Sequence, residues 1–304
     1  MAFSILLFLL VVGGASDPET RFLEEYPQAA ARLEADQAKV KGTAVLGESN
    51  ADRRRSSGKQ IIYVVDGSTR KFEYSITKQV GRTEQIKRYV FCEAGPKSFQ
   101  LVRPEPEKPY IIHKVGLKPI DSGIFDQDFF RYLNAPYRIF GSRLIDLLNE
   151  KNFRLHHARS IDVRGDSIIE VKFEAGSFNG QPNHFRARLD PKRSWAIVSS
   201  EFRLGSETAL PEILDVEYRP VAGLPIVPLK VRRTYGEKKE LVCEFGQMEF
   251  ISTPASEFTL ECYGLKDVTR FAPENARAFR WWWPVAGVGL LLGAWVLKRF
   301  ATRQ

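Results

Sequence analysis

Residues 153–204 read FRLHHARSIDVRGDSIIEVKFEAGSFNGQPNHFRARLDPKRSWAIVSSEFRL. Apolar side chains recur at every second position, as in Ile169, Val171 and Phe173 and again in Phe185, Ala187 and Leu189. A period of two belongs to strands with one buried face. Turn residues punctuate the alternation: Arg164-Gly165-Asp166-Ser167, then Asp190-Pro191-Lys192-Arg193. The same rhythm continues through Leu214, Val216 and Tyr218, then Leu229 and Val231, and turns at Tyr235-Gly236-Glu237-Lys238 into 240–252. Hairpins about ten residues apart predict an antiparallel sheet, open or partly closed into a barrel. No strand–helix–strand alternation argues for a parallel sheet, and no 20–50-residue repeat argues for a solenoid or propeller.

Upstream, alternation starts at Gln60. Phe72, Tyr74 and Ile76 are followed by Tyr89 and Phe91, by Phe99 and Leu101, and by the run 110–115. Two helical islands interrupt the strands. Phe22, Tyr26, Ala30, Leu33, Gln37 and Val40 fall at three- and four-residue steps, so 18–41 reads as an amphipathic helix, with Pro27 either dividing it or starting its longer piece. The second island covers about 125–150: Phe125 to Leu133, then Ser142 to Asn149 with Ser142 as N-cap. The polar stretch 47–59, with Arg53-Arg54-Arg55, reads as a basic loop.

The two ends address the protein. Phe3 to Val12 is an unbroken apolar run closed by Gly13-Gly14-Ala15-Ser16, the shape of a secretory signal peptide over 1–16, although no cation precedes it. An uncleaved anchor or a buried helix is the other reading. Trp281 to Leu297 is an uncharged run opened by three Trp, with Trp295 near its far end and Lys298, Arg299 and Arg303 beyond it. Aromatic belts and trailing cations predict a transmembrane helix over 281–297, with 298–304 as a cytoplasmic tail and 271–280 as a juxtamembrane linker. Gly289 and Gly293 form a GxxxG pair, a weak option for a homodimer. The exported part is then a helix and loop over 17–59 and a sheet domain over 60–270.

Composition excludes several classes. A chain of 304 residues with 43% apolar and 27% charged residues is neither disordered nor polytopic. Its net charge of +8 comes from 45 Lys+Arg dispersed among 37 Asp+Glu, so a nucleic-acid partner is not expected. The four His include the adjacent pair His156-His157, whose side chains diverge in regular β geometry, and no metal site is expected. No G-x-S-x-G, H-E-x-x-H or Walker loop occurs, and Asp162, Glu170, Glu201, Asp215 and Glu217 read as solvent-facing alternates. No catalytic residue and no cofactor are expected. Cys92, Cys243 and Cys262 would meet an oxidising compartment; Cys243 and Cys262 flank the connection through Pro254 and are the favoured pair, with three isolated buried thiols as the alternative.

An N-terminal amphipathic helix, many antiparallel strands and a mid-chain helical insertion resemble the lipoprotein-localisation superfamily, the LolA/LolB/RseB-like half-barrels. The pieces LDPKRSWAIVSSEF (189–202) and FTLECYGL (258–265) look like segments of exported, membrane-anchored proteins in that neighbourhood. The resemblance implies an α+β fold, a curved antiparallel half-barrel covered by helices, whose cavity holds acyl chains or a peptide. From the residues themselves, the apolar sheet face carries Phe72, Tyr74, Phe91, Phe99, Phe173, Phe185 and Trp195, more area than two short helices cover. A non-catalytic, membrane-tethered binding module for lipid, another apolar ligand or an exported peptide is therefore expected. An envelope scaffold comes second and a hydrolase third.

Overall fold

The computed structural model describes residues 17–48, 59–80, 83–116, 124–163, 165–219, 226–236 and 239–266. The expected signal peptide, the Arg53–Arg55 loop, the transmembrane helix with its glycine pair and the tail lie outside the described residues. Among those described, no helix is long and apolar enough to cross a membrane.

Helix α1 (Pro18–Asp36) opens the chain, with Pro18 in the first turn, where its missing N–H costs nothing. Phe22, Tyr26, Ala30 and Leu33 are its buried stripe, and Pro27 does not divide it. The helix stops at Gln37, whose side-chain Nε2 donates to the Ile226 carbonyl at 2.9 Å. Val40, expected in the helix, begins a strand instead. Val40, Ala44 and Leu46 are buried on one face of that strand, so a period-two pattern takes over from the helical one sooner than the spacing suggests.

A first meander follows: β1 (Lys39–Glu48), β2 (Lys59–Asp66), β3 (Thr69–Val80), β4 (Thr83–Ala94), β5 (Lys97–Arg103) and β6 (Ile111–Gly116). The chain then makes its helical excursion through α2 (Ile124–Leu133), the two-residue strands β7 (Arg138–Ile139) and β8 (Ser142–Arg143), and α3 (Leu144–Leu148). Ser142 therefore pairs in β8, and Arg143 takes the N-cap position of α3. A second meander returns: β9 (Arg154–Val163), β10 (Asp166–Phe178), β11 (Gln181–Asp190), β12 (Ala196–Arg203), β13 (Glu212–Tyr218), β14 (Pro228–Tyr235) and β15 (Lys239–Glu249).

All of these strands except β7 and β8 join one antiparallel sheet in the order β6-β5-β4-β3-β2-β1-β15-β14-β13-β12-β11-β10-β9. The first and last strands meet in the middle, and β6 and β9 are the free edges. The sheet is curved but not closed, and register shifts in six of its strand pairs mark the bulges that add local twist.

Alternation gives the sheet an inner and an outer face. On the inner face α1 and α3 cover β9–β12: Phe22 and Tyr26 join Val171, Phe173, Phe185, Leu189 and Trp195 in one cluster. Helix α2 covers the middle, where Phe129 and Tyr132 pack with Tyr63, Phe72, Phe91, Cys243 and Phe245. A third cluster lies on the outer face, where the 3₁₀ turns Ala255–Phe258 and Leu260–Tyr263 fold back over Val64, Val90, Cys92, Phe99 and Leu101.

Ion pairs cross the outer face between neighbouring strands of β9–β15. Glu170 departs from the solvent-facing expectation, because it is only 2% exposed. Arg159 Nη2 lies 2.7 Å from one of its oxygens and Arg188 Nε 3.0 Å from the other. Burial pushes the Glu170 carboxyl up, but the hydrogen bonds and charges of Arg159 and Arg188 outweigh it and hold the group below the usual carboxylate range. A depressed folded value means the stabilisation is complete above the unfolded value and is lost as pH falls through the folded one. Glu170→Gln is expected to cost about 1–2 kcal/mol at pH 7 in a denaturant titration. The gap from the parent chain should close as pH drops below about 4. A pH-independent gap would show that the charge of Glu170 is immaterial.

Candidate functional site

On the inner face of the β3–β4 hairpin, alternation and cross-strand pairing together build an aromatic ladder. Phe72 pairs with Phe91 and Tyr74 with Tyr89. The Phe72 and Phe91 rings lie 5.1 Å apart, and the Tyr74 and Tyr89 rings stack at 5.0 Å with an 11° interplanar angle. Phe72 and Tyr74 stack along the strand at 6.2 Å, which makes the ladder continuous. Helix α2 closes its deep end: Phe129 and Phe130 stand 6.4 and 5.7 Å from Phe72.

Burial falls along the ladder. Phe72 and Phe91 are buried, whereas Tyr74, Tyr89 and Phe130 are only half-buried. The next pair outward, Ile76 and Lys87, is half-buried as well. At the opposite end Arg70 places its guanidinium 4.9 Å from the Phe130 ring centre and pairs with Glu93 at 2.6 Å. The site is thus an apolar track with an ion pair at one end and two phenols and an ammonium at the other, half-buried end. The ring faces offer an apolar surface on which a flexible apolar chain could lie.

The seven aromatics expected to line one cavity occupy three places. Phe72, Tyr74 and Phe91 come together in the ladder. Phe173, Phe185 and Trp195 belong to the cluster beneath α1 and α3, where Phe173 and Phe185 stack at 5.0 Å and the Trp195 indole donates to Glu25 of α1 at 3.1 Å. All three are at most 6% exposed. Phe99 joins neither set: it pairs with Cys92 across β4–β5, and so lies on the outer face. Tyr89, Phe129 and Phe130 complete the ladder, and none of them is among the seven. Tyr89 was legible as the period-two partner of Phe91. Which residues of the helical island would meet the ladder was not legible, because that contact joins residues 57 and 58 apart in sequence.

The cysteines also differ from expectation. None of the three is bridged in this structure. Cys243 is buried in the inner core, while Cys262 is exposed and lies within the turns that pack on the outer face, so the sheet separates the pair favoured from sequence. Burial pushes the Cys92 thiol up to about 12. The His pair differs too. Leu155 pairs with Phe173 and His157 with Lys172, which leaves His156 as the extra residue of a bulge. His157 therefore shares the outer face with Lys172, opposite to Leu155. His156 Nε2 reaches Glu174 on that same face at 3.0 Å, so the bulge cancels the divergence expected of adjacent residues. Among the described residues, no group of three or more His, Cys, Asp or Glu is placed to hold a metal. Outer-face clefts of about 180 and 240 Å³ are lined by charges that compensate one another, such as Glu201 between Arg186 and Arg203.

Fold and ladder together define an open, helix-lined half-barrel with an aromatic inner face. No protein-family model matches the chain, and no curated protein matches it. Solved structures that resemble it include a LolA superfamily protein from Nitrosomonas europaea, at 10% identity and TM-score 0.42 over 82% of this chain and 100% of that one. A putative outer membrane lipoprotein-sorting protein domain from Vibrio parahaemolyticus aligns at 13% identity and TM-score 0.45, over 79% and 97%. A DUF1329 family protein from Desulfovibrio piger aligns at 10% and 0.43, over 82% and 100%. Identities of 10–13% carry no binding residue from any of them to this chain.

Proposed function

We propose that the protein is a non-catalytic, exported and membrane-tethered module that binds an acyl chain or another extended apolar ligand along the Phe72–Tyr89 ladder. The observation that carries the reading is the gradient of cover on the inner face. Helices α1 and α3 seal the β9–β12 half, while the ladder leaves Tyr74, Tyr89 and Phe130 half-buried. Half-covered rings that stack into one track are the surface an acyl chain complements, at about 0.8 kcal/mol for each methylene removed from water. Sequestering roughly ten or more methylenes would support micromolar affinity once ordering costs are met. The phenols and Lys87 at the open end suit a polar head group.

Titration of the chain with a neutral environment-sensitive dye, competed with fatty acid or phosphatidylcholine, tests the reading. Saturable, competable binding is the expected result. Dye that no lipid displaces would end the carrier reading and leave an envelope scaffold in its place. The tether follows from the apolar run 281–297 and its trailing cations. Protease added to intact spheroplasts is expected to degrade residues from about 17 to 280; full protection of the domain would overturn export.

A further inference from the structure

We propose that Cys92 and Cys262 form a disulfide that straps the C-terminal 3₁₀ turns to the outer face of the sheet. The turns straddle Cys92 from both ends. Its Sγ donates to the Phe258 carbonyl at 3.5 Å, at the close of the first turn. At their far end the Tyr263 ring stands 6.3 Å from Phe99, with Lys71 Nζ 5.9 Å from its centre. Lys71 and Phe99 are the two residues that flank Cys92 across the strands. The Tyr263 hydroxyl anchors that end further by donating to Glu73 at 2.8 Å. Cys262 precedes Tyr263 directly, so the backbone that carries it lies beside this anchored end, and the charge of Cys262 is close enough to bear on Cys92. A cavity of about 140 Å³ lies between Phe99 and the turn residues Phe258 and Leu260.

The chemistry divides the roles. Cys262 is exposed and meets the oxidant first; Cys92 is buried and resolves. With a small disulfide such as oxidised glutathione, the Cys262 thiolate attacks one sulfur and releases one thiolate. The Cys92 thiolate then attacks the Cys262 sulfur and releases the second. The two cysteines lose two electrons and two protons, and one glutathione disulfide becomes two thiols. The raised Cys92 thiol makes the second step slow in the folded chain, so closure is fastest while the turns are still docking.

The test refolds the full-length chain from denaturant into detergent with oxidised glutathione, so that the turns dock in the presence of the oxidant, then alkylates it and maps peptides without reductant. The expected result is a linked Cys92–Cys262 peptide pair that Cys243→Ser retains and that Cys262→Ser and Cys92→Ala each abolish. Oxidation should raise the unfolding midpoint of the parent chain by about 5–15 °C and leave that of Cys262→Ser unmoved. The exposed position of Cys262 keeps that variant foldable. Recovery of both Cys92 and Cys262 as alkylated thiols, or of Cys262 only as its glutathione adduct, would overturn the proposal.

Discussion

Replacing Tyr74 and Tyr89 together with glutamate is expected to weaken competable binding of a neutral apolar probe by about 100-fold while the chain stays folded. Both rings are half-buried at the open end of the ladder, so carboxylates there keep their hydration in the empty site. An apolar ligand would have to desolvate them, which costs more than about 1.4 kcal/mol each, a factor of ten apiece. The sealed half of the inner face supplies the control. Phe173 is 1% exposed in the cluster that α1 and α3 cover, and Phe173→Leu should lower stability by about 1–2 kcal/mol with little effect on affinity. If Phe173→Leu abolished binding and the Tyr double variant did not, the ligand would belong in the cluster beneath α1 and α3 and not on the ladder.

Gly42→Val is expected to be among the most damaging single changes in the sheet, at about 3 kcal/mol or more. Gly42 lies where β1 pairs with β15, the seam that joins the two meanders, beside the register shift between Gly42 and Ala44. A Cβ there would fall 2.7 Å from the Gln247 carbonyl oxygen and 2.7 Å from the Tyr63 hydroxyl. The carbonyl is main chain and cannot swing aside, and Tyr63 is buried in the inner core. Strands would have to separate at the one junction that joins the two halves of the sheet. Gly67→Asn offers the comparison: Gly67 has φ +60°, but a Cβ added there would meet nothing within 4 Å, and Asn tolerates that region. Its denaturation midpoint should stay near that of the parent, and a Gly42→Val midpoint equally unmoved would show that the seam tolerates a side chain.

What could be read from the chain and what could not divides along the reach of the interaction. Phe72, Tyr74 and Ile76 alternate because neighbouring residues of any strand point to opposite faces, so local spacing alone revealed the sheet, its hairpins and an aromatic face. Phe22, Tyr26, Ala30 and Leu33 marked α1 for the same local reason. Two local readings failed where a single residue changed the count. The bulge at His156 put His157 opposite Lys172, and the turn after Asp36 put Val40 into β1, each through backbone geometry that composition does not announce.

The sequence by itself determined that this chain is an antiparallel sheet protein with helical cover and an aromatic apolar face. Only the tertiary structure decided that β1 pairs with β15, that Phe99 and Cys92 lie on the outer face, and that α2 closes one end of the ladder while Tyr74 and Tyr89 stay half-covered. Periodicity constrains which residues share a face within a strand. Register between strands, and the seating of a helix on them, depend on contacts between residues far apart in the chain, whose complementarity no single window of sequence contains.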